Sequence, residues 1–293
     1  MARAWSLLVA AAILGCAAAA WLAPLAVLNA FARAEDCSER TGLSYADGPR
    51  HGLDVYVPAG PGQGRPVVVF FYGGGWEEGE RGSYRFIAAA LAGRGFVTVV
   101  PDYRVYPQVR FPAFLQDAAL AVRWAHDHAA QFGGDGGRLV LVGHSAGAHI
   151  AAMLTFDRQW LADVGLDATR DLRGMVGLAG PYDFLPLHSR TLEAIFGTGP
   201  ALERTQPITF VDGGEAPVFL ATGAHDATVD PGNTERLAAR IRARGGRVDT
   251  RLYDWVDHRT LIGAFGWPLR PLAPVLADTA AFIRSVTGPQ AAT

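Results

Sequence analysis

Ser145 stands in the pentapeptide Gly143-His144-Ser145-Ala146-Gly147, between an apolar β-rich run, 138–142, and an alanine-rich stretch of helical spacing, 146–152. A serine at such a junction sits on a sharp strand-to-helix turn that lifts its hydroxyl above a sheet. Glycines two before and two after it remove side chains that would collide there. Ser145 is therefore the candidate nucleophile. A serine hydroxyl reacts poorly until a base takes its proton, and imidazole is the side chain whose pKa suits that task near neutrality. Of the eight histidines, three follow His149: His188, His225 and His258.

A nucleophile on this kind of turn is followed in the chain first by its acid and then by its histidine. His258 comes after a predicted strand, 248–253, in the loop Asp254-Trp255-Val256-Asp257-His258, where it can reach back over the elbow. Asp226 is the best-placed acid: it follows the apolar run 217–222 by a short glycine-containing turn, at the carboxyl end of a predicted parallel strand, where active sites gather. Asp230 and Asp183 are the alternatives. Asp230 precedes Pro231 and a helical pattern and also reads as an N-cap. Asp183 ends the strand before. Asp257 is too close to His258 in sequence to reach its ring and reads as solvated. His126-Asp127-His128 reads as a solvated helix face, because residues two apart on a helix diverge.

The third requirement is a site for developing negative charge. The apolar run 67–72 delivers the chain into Gly73-Gly74-Gly75-Trp76. Backbone N–H groups of such a loop, together with that of Ala146, can bind an oxyanion, each donor contributing about 3 kcal/mol to transition-state stabilisation.

Short apolar runs at 67–72, 96–100, 139–142, 175–178 and 218–221 alternate with helical patterns at 84–91, 112–132, 146–155, 233–244 and 273–285. This order predicts an α/β fold: a mainly parallel central sheet with helices on both faces. Residues 53–57 alternate like an edge strand. Between 180 and 216 regularity fails except for a short helical stretch, 189–196; the segment reads as a small cap segment over the site or, equally, as an ordinary surface excursion. Residues 35–50 read as a linker, 51–288 as the catalytic domain and 289–293 as a tail.

The N-terminus is a separate segment. Arg3 precedes an uncharged run from Trp5 to Leu28, long enough to cross a bilayer. Residues 1–34 therefore read as a signal peptide or N-terminal membrane anchor, and the protein as exported, periplasmic or membrane-anchored. The choices are cleavage after Ala32-Arg33-Ala34, retention as an anchor, or lipidation at Cys16. Cys37 has no partner in the exported part and reads as a non-catalytic thiol.

The chain of 293 residues has half its residues hydrophobic and a formal net charge of −2, so no basic field exists to attract nucleic acid. All 26 basic residues are arginine. That excludes a Schiff-base lysine, a Walker lysine and a Ser/Lys dyad.

Together these motifs resemble serine esterases of the α/β-hydrolase superfamily, near the BD-FAE-like and hormone-sensitive-lipase-like carboxylesterases. The family's HGGGW corresponds to Tyr72-Gly73-Gly74-Gly75-Trp76, its DYRL-x-P to Asp102-Tyr103-Arg104-Val105-Tyr106-Pro107, its GxSAG to Gly143–Gly147, its GxxDxxV to Gly223–Val229, and its late histidine to His258. The resemblance implies an α/β-hydrolase fold with Ser145, Asp226 and His258 as triad, and Gly74, Gly75 and Ala146 as oxyanion hole. Tyr72 and Trp76 then fall at the substrate. Tyr72 replaces the usual histidine, which puts substrate range in question. The expected activity is hydrolysis of short- to medium-chain carboxylic esters through an acyl-enzyme, on a small-molecule substrate and with no metal or organic cofactor. An arylformamidase or amidase of the same fold is the near alternative. A non-catalytic membrane-anchored binding protein on this scaffold is the distant one.

Overall fold

The computed structural model describes residues 24–32 and 35–288. Eight strands form one sheet: β1 (Cys37–Ser44), β2 (Gly52–Pro58), β3 (Arg65–Phe71), β4 (Val97–Pro101), β5 (Gly134–His144), β6 (Leu172–Leu178), β7 (Val218–Gly223) and β8 (Val248–Tyr253). Their spatial order is β1-β2-β4-β3-β5-β6-β7-β8. The first two strands run antiparallel to their neighbours and the other six are parallel. Parallel strands need crossovers, and the intervening helical patterns supply them. The helices used below are α1 (Pro24–Phe31), α2 (Arg85–Ala92), α3 (Ala113–His128), α4 (Ala146–Phe156), α5 (Arg190–Phe196), α6 (Gly232–Ala243), α7 (His258–Gly263) and α8 (Val275–Thr287). α2 packs with α8, and α3 with α4.

The runs read as buried strands are buried: Val67 to Phe71 and Leu139 to Val142 expose no surface. Each such side chain contributes about 1.5–3 kcal/mol on leaving water, so these two adjacent strands hold the centre of the sheet.

Two sequence expectations are corrected. Residues 35–50 are not a linker, because Cys37–Ser44 forms the outermost strand of the sheet. Its side chains are mostly exposed, as those of an edge strand can be, so it carries little hydrophobic signal. Residues 53–57 are consequently not at the edge: β2 lies between β1 and β4, and Leu53, Asp54, Val55 and Tyr56 are buried.

Segment 180–216 is irregular, as its composition implies, and is tied down. Ser189 caps α5 by accepting from Leu192 N–H. The Asn233 side-chain oxygen accepts from the N–H groups of Tyr182 and Asp183, both at 2.9 Å. Gln206 accepts from Phe184 N–H at 2.7 Å. Tail residues 289–293, the run before Pro24, and Arg33 and Ala34 lie outside the described residues.

Candidate active site

The sheet register brings four chain exits to one edge. Phe71, at the end of β3, pairs with Gly143 in β5, Gly143 with Gly177, Gly177 with Leu220, and Gly223 with Tyr253. The glycine loop, the Ser145 turn, the Asp226 turn and the loop to His258 therefore all leave the sheet from carboxyl ends on the same side.

The Ser145 turn is as tight as its glycines imply. Ser145 has φ 55° and ψ −123°, a conformation that costs a non-glycine residue about 1–3 kcal/mol. A Cβ on Gly143 would lie 2.2 Å from Gly147 O, and one on Gly147 would lie 2.1 Å from Phe71 O. Neither position admits a side chain. Ser145 N–H donates to Leu178 O at 2.9 Å, and Ser145 O accepts from the N–H groups of Ala148 and His149. The strain is thus held by the sheet on one side and the first turn of α4 on the other. Ser145 is partly exposed while its four neighbours in the pentapeptide are buried.

His258 is the first residue of α7, and Asp257 caps that helix by accepting from the N–H groups of Arg259 and Thr260. Asp257 thus has a structural use, and it fixes where the imidazole starts. His258 Nδ1 lies 2.8 Å from Asp226 Oδ2. The other carboxylate oxygen of Asp226 accepts from the N–H groups of Thr228 and Val229, both at 2.9 Å. Burial alone would raise the Asp226 carboxyl, but the hydrogen bond from His258 and those two backbone donors outweigh it and hold the group below its ordinary range. An ionised Asp226 accepts the proton on Nδ1 and leaves Nε2 as the basic nitrogen. Ser145 Oγ has no hydrogen-bond partner among the described residues. Base-to-nucleophile bonds are often long before substrate binds.

The rival acids are engaged elsewhere. Arg236 donates to Asp183 at 2.6 Å and to Asp230 at 3.3 Å. Asp230 also accepts from Gly232 N–H at the start of α6, as its position before Pro231 implied.

His144, inside the pentapeptide, has a role that sequence reasoning misses. Its Nε2 donates to the backbone oxygen of His258 at 3.1 Å, and the two rings lie 4.7 Å apart. It therefore holds the start of α7 over the elbow. The signal is its place beside Ser145, but chain order selects only later histidines. Burial, and then the neighbouring His258, push the His144 pKa down to about 3. Burial likewise pushes His149 down to about 4, against the bond its Nε2 donates to Thr205 O.

Both imidazoles are thus neutral in the fold, whereas in the unfolded chain they protonate near pH 6.5. Their contribution to stability is fully present above that pH and is lost as the pH falls, because the unfolded state then binds protons the folded state refuses. Two such groups steepen the loss to about 3 kcal/mol per pH unit between pH 5.5 and 4.5. Urea midpoints measured from pH 7.5 to 4.5 should show this decline, and a flat profile would contradict it.

The glycine loop is held by its own backbone. Gly74 O accepts from the N–H groups of Glu77 and Glu78, both at 3.0 Å, and Gly74, Gly75 and Trp76 all have positive φ. A Cβ on Gly74 would lie 2.2 Å from Glu78 O.

Tyr72, expected at the substrate, presents no surface to solvent in this fold. It is fully buried, its ring stacked on Tyr84 and Tyr103. Its hydroxyl donates to Asp102 at 2.8 Å and accepts from Arg50 at 3.1 Å. Arg81 pairs with both Asp102 and Asp54, and Tyr103 donates to Tyr72 O at 2.7 Å. A phenol thus anchors the loop where the resembling family has an imidazole. The partners come from three separate segments, 50–54, 81–84 and 102–103, so this network is not readable from the sequence.

Trp76 is also buried, at 4% exposure. It packs on His149, Phe184 and Phe196, with ring centroids at 5.1, 5.9 and 4.8 Å. Phe184 and Phe196 come from the cap segment, so an aromatic wall joins the cap, the glycine loop and α4 one turn beyond Ser145. Cys37 is half-buried, and burial, with Glu39 and Glu35 beside it, pushes its thiol up to about 11. The thiolate that a cysteine nucleophile needs is disfavoured there.

A mainly parallel sheet bearing a strained serine elbow, with a carboxylate–imidazole pair on later strand ends, defines an α/β-hydrolase. The chain belongs to the BD-FAE family, whose model matches residues 53–241. It is 31% identical over 239 residues to a probable isoprenylcysteine alpha-carbonyl methylesterase, ICMEL1, of Oryza sativa subsp. japonica, covering 74% of this chain and 56% of that protein. It is 28% identical to esterase LipC of Mycobacterium tuberculosis, covering 70% and 55%. The chain thus spans about half the length of these relatives. Esterase B from Lactobacillus rhamnosis superposes with a TM-score of 0.77 at 20% identity, covering 95% of this chain and 96% of that one.

Proposed function

We propose that this protein hydrolyses short- to medium-chain carboxylic esters through an acyl-enzyme. The observation that carries this reading is the Asp226–His258 hydrogen bond of 2.8 Å, formed on the same sheet edge as the Ser145 elbow and the glycine loop. Ser145 Oγ attacks the ester carbonyl as His258 Nε2 takes its proton. The N–H groups of Gly74, Gly75 and Ala146 receive the oxyanion. His258 returns the proton to the departing alkoxide, and water repeats the cycle to release the acid. Asp226 holds the tautomer and stabilises the imidazolium. The wall of Trp76, Phe184 and Phe196 supports an apolar acyl group. The hydrogen bonds that tie the cap down favour a short one. The relatives named above carry esterase names, which supports ester over formamide.

A fluorophosphonate probe is expected to label the purified protein at Ser145, with p-nitrophenyl acetate and butyrate turned over faster than long-chain esters or N-formylkynurenine. A folded protein that takes no label and turns over no ester would remove the reading.

A further inference from the structure

α1, Pro24–Phe31, lies within the segment that cleavage after Ala34 would remove, yet it is built into the domain. Leu28 is 6% exposed and Ala32 4%. Leu28 fills a notch left by two glycines: a Cβ on Gly266 would lie 2.7 Å from Leu28 Cδ2, and one on Gly263 would lie 3.8 Å from Cδ1. Gly263 ends α7, the helix that begins with His258. Asn29 uses both ends of its amide. Its Nδ2 donates to Gly82 O at 3.0 Å and Ser83 O at 3.1 Å, and its Oδ1 accepts from Phe86 N–H at 3.0 Å. One side chain thus closes the turn before α2 and satisfies an N–H in the first turn of α2, which otherwise has no partner within its own helix. On the far side of residues 33–34, Glu35 pairs with Arg270, and Glu35 N–H donates to Ala32 O at 3.1 Å.

A leader that is discarded needs no fitted notch and no bidentate amide on the mature domain. Removal of residues 24–32 would also take from Gly82 O, Ser83 O and Phe86 N–H the partner each now has. No helix among the described residues is long and apolar enough to cross a membrane. The uncharged run from Trp5 to Ala23 directly precedes Pro24, and its length matches the apolar stretch of about 20 residues that spans a bilayer. The exposed apolar side chains on this side include Phe31 at 40% and Trp267 at 61%, stacked with ring centroids 5.8 Å apart. Tryptophan rings such as that of Trp267 concentrate at the membrane–water interface.

We infer that residues 24–32 are a permanent strut of the catalytic domain, unprocessed at Ala34, through which the segment before Pro24 attaches the enzyme to a bilayer.

The test uses the full chain produced in a bacterial host, with membranes separated from soluble protein and the intact mass of the product determined. The expected product is membrane-associated and retains residues 24–32, whether its first residue is Met1 or an acylated Cys16. A product that starts at Glu35, or one that is soluble after lysis without detergent, overturns the inference. In the same full chain, Leu28→Ala and Asn29→Ala should each lower Tm by about 3 °C or more. A Tm unchanged by both would show that the docked strut does not hold in solution, and would equally overturn it.

Discussion

Ser145→Ala is expected to lower kcat for p-nitrophenyl butyrate by about 10⁴-fold or more and to abolish fluorophosphonate labelling, while Tm stays the same or rises. The loss follows from removing the hydroxyl oxygen that forms the acyl bond in the proposed mechanism. The Tm follows from the turn: Ser145 keeps its strained φ of 55° because Leu178 O and the first turn of α4 hold it there, not because its hydroxyl stabilises anything. Ser145→Gly sharpens the point. Glycine adopts this φ freely, and relief of about 1–3 kcal/mol of strain exceeds glycine's entropic cost of roughly 0.5–1 kcal/mol. That variant should be inactive and melt higher than the parent. Ester turnover that survives Ser145→Ala in a protein free of host esterases would refute the elbow assignment and the acyl-enzyme with it.

Asp226→Asn should cost about 10³- to 10⁴-fold in kcat, whereas Asp230→Asn and Asp183→Asn should stay within about threefold of the parent. The reason lies in the carboxylate's two ends. One oxygen accepts from Thr228 and Val229 N–H, so in the asparagine variant the amide oxygen takes that place and the NH₂ is turned toward His258 Nδ1. A donor facing Nδ1 forces the imidazole proton onto Nε2, and the base is lost without any change of shape. Tm should fall little, because the backbone bonds remain. Assaying the three variants on one ester decides the matter. Greater loss from Asp230→Asn or Asp183→Asn would move the acid to that residue and require Arg236 to release it.

Much of the site is legible in the amino-acid sequence. Gly143-x-Ser145-x-Gly147 is readable because both glycines are sterically obligatory: a Cβ at either position would enter backbone atoms. Asp226 and His258 are readable because turns at strand ends are set by local composition, and the parallel sheet then orders them. The surroundings of Tyr72 are unreadable for the opposite reason. Its position in the loop is local, but its direction is set by Arg50, Asp102, Tyr84 and Tyr103, which only the folded chain assembles. His144 escapes notice because its role depends on the backbone of His258, more than a hundred residues later.

The alternation of strands and helices, the tight serine turn, the glycine loop and the late histidine can be read from the amino-acid order, since each rests on composition within a few residues of itself. Three things depend on the assembled fold. It pairs Asp183 and Asp230 with Arg236 and sets Asp226 against His258. It showed an edge strand in what composition reads as a linker, because hydrogen bonds to β2 need no hydrophobic pattern. It placed residues 24–32 against Gly263, Gly266 and Phe86, since apolar residues that fill a cleft and apolar residues that enter lipid are the same residues, and only the complementary surface distinguishes them.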